Sequence, residues 1–243
     1  MNPTKTEFIV FGTPQQLAKV SCDSLNVCDA LVQREEKVKT LGVTFDDCMS
    51  MKCQISDKIR VSMCNLINIR SIRPFLSVKA CKIVVINLVI SHLDYCNSLY
   101  YKLPECEIKR LQRVQNAAAK LVLGVGKFHS SRQALKKLHW LPIRARVDFK
   151  ICVIVYKCLR NEAPSYLQDL LNIRSTTRSL RSTGHDSAIT LDVPLNRHNT
   201  LLDRSFAFAG PTVWNSIPAK IRNIGNLELF RKSLKTHLCG KYY

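Results

Sequence analysis

Between Met51 and Leu123 apolar residues recur every three or four positions, the spacing that gathers them on one face of an α-helix. Ile55, Ile59, Ser62 and Leu66 share such a face, with Lys52, Lys58 and Arg60 turned elsewhere, so a helix is predicted from Met51 to a break at Pro74. A second helix is expected from about Val78 to Tyr101, stopping before Pro104, and a third from Glu105 to Leu123, stopping at Gly124 and Gly126. Three helices with short connections imply a small bundle. Ahead of them the pattern is β-like. Phe8-Ile9-Val10-Phe11 reads as a strand that ends at Gly12 and Pro14, and Asn26–Val32 and Val38–Phe45 read as two more, with a hairpin turning in the charged stretch Gln33–Lys37.

Beyond Gly126 the pattern predicts a helix over Ser131–Leu138, a turn at Trp140-Leu141-Pro142, and a longer helix over Arg144–Leu159. Pro164 opens a short amphipathic segment to Leu171, and Asn172–Thr183 is a polar, basic loop or boundary. Ile189, Leu191 and Val193 alternate with polar residues, and Phe206 and Phe208 with small ones, which predicts two short strands. A last helix, Leu227–Leu238, carries Lys and His toward its end, where the helix dipole favours cations. The fold class is therefore α+β and mainly helical. A chain of 243 residues with 46% hydrophobic content can bury the core of one large or two modest domains.

The longest uncharged apolar stretch in the helical region, Ile83–Leu93, is too short to cross a bilayer core of roughly 30 Å. The start, MNPTKTEF, has no basic segment followed by an apolar one, which argues against a secretory signal and for an intracellular protein of nucleus or cytoplasm, without a membrane partner. Eleven cysteines, an odd number scattered through apolar stretches, read as reduced core thiols.

Charge changes the picture most. Lys and Arg number 37 against 18 Asp and Glu, a net +19. The excess is uneven: residues 1–48 hold 5 basic and 7 acidic groups, 49–125 hold 12 and 4, and 126–243 hold 20 and 7. So positive a field attracts polyanions, nucleic acid first among them. On the third helix Lys109, Arg113 and Lys120 fall within about 40° of one another, while Leu111, Val114, Ala118 and Leu121 lie opposite, so one face packs and one is cationic. Arg110 adds to the same helix, and Arg174, Arg178 and Arg181 form a basic loop with no packing role evident in the pattern.

Catalytic chemistry is harder to find. Two-metal nucleotidyl transfer needs carboxylates close enough to hold both ions, and Asp46-Asp47 is the one adjacent aspartate pair; it reads as a strand-to-helix junction with Asp as N-cap. No CxxC zinc spacing occurs, and neither Cys48 with Cys53 nor Cys152 with Cys158 has a matching cluster. His92 and His139 read as packing or hydrogen-bonding residues, Tyr95, Tyr100 and Tyr101 as core residues ahead of base-stacking ones, and Trp140 and Trp214 as anchors of the carboxy-terminal region. No catalytic or metal-binding residue is assigned.

Eight short words stand in fixed order: KTEFIVFG, LGVTFDD, SHLDYCNSLYY, LQRVQNAA, LHWLP, LRS, FAGPTVWNSIP and LKTHL. Together they resemble the carboxy-terminal part of reverse transcriptases of non-LTR retrotransposons, the jockey-like LINE group. The resemblance implies the last strand and hairpin of a polymerase palm at residues 1–48, a helical thumb at 49–125 and a family-specific domain at 126–243. It implies an RNA-directed DNA polymerase whose paired aspartates, in a Tyr/Phe-Ala-Asp-Asp word, are not in this chain, so that Mg²⁺ is expected only for an intact polymerase. Lys5, in the NPxKTE word, is implied to lie near the incoming nucleotide, and the LQRVQNAA helix to track a primer–template duplex. The implied partners are RNA or DNA and a palm and fingers segment. A rival expectation is a basic protein-interaction module, decayed or repurposed.

Overall fold

The structure, a computed structural model, describes residues 5–27, 30–174, 188–195 and 201–243. The chain is mainly helical, with two small antiparallel hairpins near its start. Lys5 to Phe11 run in irregular backbone, with one bridge between Phe8 and Arg34, and lead to a single helical turn, α1 (Pro14–Leu17). Thr13 caps that turn reciprocally with Gln16. The first hairpin pairs β1 (Ser24–Val27) with β2 (Ala30–Gln33), and the second pairs β3 (Lys37–Thr40) with β4 (Val43–Asp46).

This corrects the expected strands. Asn26–Val32 and Val38–Phe45 are each folded back on themselves, and the charged stretch between them joins two hairpins instead of turning one. In the second, Leu41 (φ 49°) and Gly42 (φ 76°) supply the two left-handed residues that a tight hairpin turn requires. The apolar word LGVTF concealed that turn. The expected strand at Phe8–Phe11 reduces to the Phe8 bridge, held by Glu35 N–H donating to Phe8 O (2.7 Å) and Gly12 N–H donating to Asp47 O (3.0 Å).

Asp46 then starts the helical part. Its carboxylate accepts from Ser50 N–H (3.0 Å) and Met51 N–H (2.9 Å), and from the Ser50 hydroxyl. Burial opposes ionisation of Asp46, but these hydrogen bonds outweigh it and hold its pKa below the usual 3.8. The cap position of α2 (Lys52–Ile72) is Met51, in left-handed conformation with no side-chain cap of its own. Asp46 thus serves the helix start from five residues upstream of Met51, and not from the N-cap position itself.

After a 3₁₀ turn at Arg73–Phe75, the second expected helix forms in pieces. The first, α3 (Val78–Val85), widens to a π turn at Ile86–Ile90, continues as α4 (Ser91–Asp94), and breaks where Cys96 takes φ 53°. A 3₁₀ turn, Asn97–Tyr100, follows. Next come α5 (Glu105–Leu123), α6 (Ser131–Leu138), α7 (Ile143–Leu159) and the short α8 (Ser165–Gln168). The chain closes with α9 (Phe206–Asn215), α10 (Ala219–Arg222) and α11 (Leu227–Tyr242).

Neither expected strand of the carboxy-terminal region forms. Ile189–Val193 contributes one bridge, Leu191 to Ile173, and Phe206 and Phe208 begin a helix. Ala209, Gly210, Val213 and Trp214 are buried at helical spacing, so burial against α7 overrides the two-residue alternation ahead of them. A Cβ at Gly210 would meet Val155 and Leu171 at 3.2 Å, a measure of how closely α9 approaches α7.

One core runs from Val43 through the helices to Leu238. Trp214 lies beside Phe230, which stacks on Tyr156 with ring centroids 4.4 Å apart, and Trp140 is 5% exposed, so both tryptophans anchor that core. Polar latches join the elements. Asp94 pairs with Arg146 at 2.5 Å, buried Gln115 donates to Leu141 O at 2.9 Å, and Ile143 N–H donates to Gln112 Oε1 at 2.9 Å. Arg204 donates to Met49 O at 2.5 Å and Asp203 pairs with Lys102 at 3.1 Å, tying the segment before α9 to the residues ahead of α2 and to the connection ahead of α5. Tyr242 donates to Asp148 at 2.8 Å and Tyr243 to Trp140 O, which closes α11 against α7.

Candidate nucleic-acid interface

Helix α5 has the bounds its sequence predicts because both ends are signalled. Pro104 precedes it, Glu105 and Glu107 occupy its first turn where the dipole favours acids, and Gly124 (φ 66°) lets Val125 N–H return to Lys120 O at 3.1 Å. One face is buried through Ile108, Leu111, Val114, Gln115, Ala118, Ala119 and Val122. Opposite, Lys109 and Arg113 are exposed, and Lys120 is half-buried, its Nζ donating to Lys127 O at 2.7 Å.

The carboxylates of this helix are already engaged. Arg144 of α7 pairs with Glu105, and Arg110 pairs with Glu107 at 2.7 Å while donating to Ser56 Oγ of α2 at 2.8 Å. Glu107 is 6% exposed, so Arg110 neutralises a buried charge and braces α5 against α2. Lys109, Arg113 and Lys120 have no carboxylate partner among the described residues. They form a row whose charge is left for solvent or an external anion.

The other candidate residues lie on other segments of the chain. Lys5 is exposed at the start of the described chain. Arg174 is exposed and lies 3.9 Å from Asp192, a long surface ion pair. Arg178 and Arg181 lie outside the described residues.

The remaining candidates turn out as structural parts. Tyr100 is 2% exposed, and burial pushes its hydroxyl up to about 12. Tyr95 is more open than expected: its hydroxyl donates to Leu41 O at 2.5 Å and its ring lies under Lys58 Nζ at 4.8 Å, so it ties the second hairpin to the bundle. His139 is exposed, not packed, and ends α6 in left-handed conformation (φ 56°). Among the described residues no three His, Cys, Asp or Glu side chains are grouped to hold a metal ion, and no helix is long and apolar enough to cross a membrane. Comparison of the chain with protein-family models, curated proteins and solved structures finds no match.

Proposed function

We propose that this chain is the thumb-containing, non-catalytic portion of a non-LTR retrotransposon reverse transcriptase, and that its task is to grip a nucleic-acid duplex along α5. In this reading residues 1–48 are the end of the palm, 49–125 the thumb and 126–243 a domain that braces it. The observation that carries the proposal is the row Lys109, Arg113 and Lys120, unmatched by carboxylates while both acids of the first turn are paired with other arginines, Arg144 and Arg110. Such a row suits phosphates, which position a duplex without reading its sequence. The order of the eight words and the net charge of +19 agree with it.

Chemistry would come from a palm with its own aspartates and Mg²⁺, and Lys5 would then lie near the nucleotide site. The chain alone binds and does not polymerise. The test is the affinity for an RNA–DNA hybrid as a function of salt. Three neutralised phosphates release enough counterions for a log–log slope of about −2.7, and a slope near zero overturns the proposal.

A second reading rests on exposed apolar side chains of α2, α3 and the turns beside them. Met63 is 41% exposed, Ile67 65%, Ile83 61% and Leu88 46%. Apolar exposure of this kind suits a protein partner. Cooperative unfolding of a chain that binds no nucleic acid would favour that interaction module over the thumb.

A further inference from the structure

A cleft of about 790 Å³ opens on a different part of the molecule, between α3 and α4, the α6–α7 turn, α7 and α11. Its apolar lining is the exposed Ile86 and the half-buried Phe149 and Val153, over buried Ile90, Leu138, Trp140 and Leu141. Its rim is cationic, with Lys82, Arg146, Lys150, Arg231, Lys232 and Lys235 against one carboxylate, Asp94. Asp94 is consumed by Arg146 at 2.5 Å. The other five cations therefore face the cleft without a carboxylate partner among the described residues. Lys150, Arg231, Lys232 and Lys235 are also exposed.

We infer that this cleft binds a single strand of nucleic acid, a site separate from the duplex-gripping face of α5 and standing on its own geometry. Three features select that ligand. The volume is that of a small-molecule pocket, room for roughly two or three nucleotides of one strand and too little for a duplex. Within the apolar lining Ile86, Phe149 and Val153 keep accessible surface, and the half-buried Phe149 ring offers a flat base a place to stack. The cations repeat along the helices: Arg231 and Lys235 are one turn apart, about 6 Å, a step comparable to that between successive phosphates of an extended strand. An acidic peptide is the rival that charge alone would admit, and polyglutamate tests for it. In a polymerase, such a site would hold template or displaced strand beyond the duplex.

The test uses the full chain and fluorescein-labelled oligo(dT), roughly twelve nucleotides long, with anisotropy read against salt. Lys150→Glu, Arg231→Glu and Lys235→Glu together should weaken binding at low salt by about tenfold or more and make the log–log slope shallower by about 2, at 0.7 per phosphate on a single strand. A control with Lys19→Glu, Lys37→Glu and Lys39→Glu, which has the same net charge, should lose much less. Circular-dichroism melting of both variants must match wild type, and Lys150→Gln with Lys235→Gln provides a milder pair should the triple reversal unfold. Equal losses in cleft and control variants would overturn the site, because the net field alone would then account for binding. Competition by polyglutamate as strong as by unlabelled oligo(dT), or cleft-dependent binding of duplex as tight as of single strand, would also overturn it. A chain that loses duplex binding through Lys109 and Arg113 while keeping oligo(dT) binding, or the reverse, separates failure of one site from failure of the other.

Discussion

Replacing Asp46 with Asn removes one negative charge at the point where the second hairpin meets α2, and the structure sets the size of the effect. The carboxylate accepts two backbone N–H groups at the helix start, at 3.0 and 2.9 Å, together with the Ser50 hydroxyl. Asn keeps one acceptor oxygen but sets its amide N–H groups against the other donors, so hydrogen bonding to a charged acceptor, worth about 1.5–3 kcal/mol, is lost. Because Asp46 is only half-buried, a loss of about 2 kcal/mol is expected near pH 7. In a chain of this size that lowers Tm by roughly 4–8 °C.

The sign of the pH dependence follows from the depressed pKa of Asp46. A carboxyl group whose folded pKa lies below its unfolded value adds stability fully present above the unfolded pKa, about 3.9, and lost as pH falls through the folded value. Urea unfolding followed by circular dichroism, with wild type and Asp46→Asn side by side, should therefore give a gap near 2 kcal/mol at pH 7 that narrows below about pH 4. The difference between the two proteins isolates this group from others that titrate in acid. A gap of the same size at pH 7 and below the folded pKa would refute the reasoning, because it would show that the charge on Asp46 does not hold the helix start.

Two further substitutions separate bracing from binding. Arg110→Ala should destabilise the chain by about 1–2 kcal/mol, since it strands the buried Glu107 carboxylate while the partly exposed arginine limits the loss; in the same protein the salt slope for duplex should stay unchanged. Gln115→Leu removes the donor to Leu141 O in a fully buried setting and should cost about 1–3 kcal/mol in chemical denaturation, with duplex affinity retained.

Local signals made much of the fold legible. Helix α5 and helix α6 were readable to the residue because Pro104, Gly124 and Ser130 mark their ends, and α7 was readable within one position. Both hairpins read as single strands in sequence, the second because its turn at Leu41-Gly42 hides inside an apolar word. The break at Cys96 carries no glycine or proline, so the second helix looked continuous. Alternation at Phe206 and Phe208 resembled a strand until packing on α7 decided otherwise, a tertiary effect that periodicity cannot contain.

The candidate site divides in the same way. Helical spacing alone separated exposed Lys109 and Arg113 from the buried face, but it also admitted Arg110, whose partner Glu107 three residues earlier was the available signal. The cleft was invisible in sequence: Lys82 and Lys235 come together only because α3, α7 and α11 pack around it.

The central claim is that α5 grips phosphates through specific side chains and not merely through net charge. The most direct test compares wild type, Lys109→Glu with Arg113→Glu, and Lys37→Glu with Lys39→Glu, the last two having equal net charge, for binding to an RNA–DNA hybrid across salt. The account predicts that reversing the α5 pair makes the slope shallower by about 1.8, two phosphates at 0.9 each on a duplex, and that the β3 pair leaves it near wild type. Equal slopes in the two variants would contradict it.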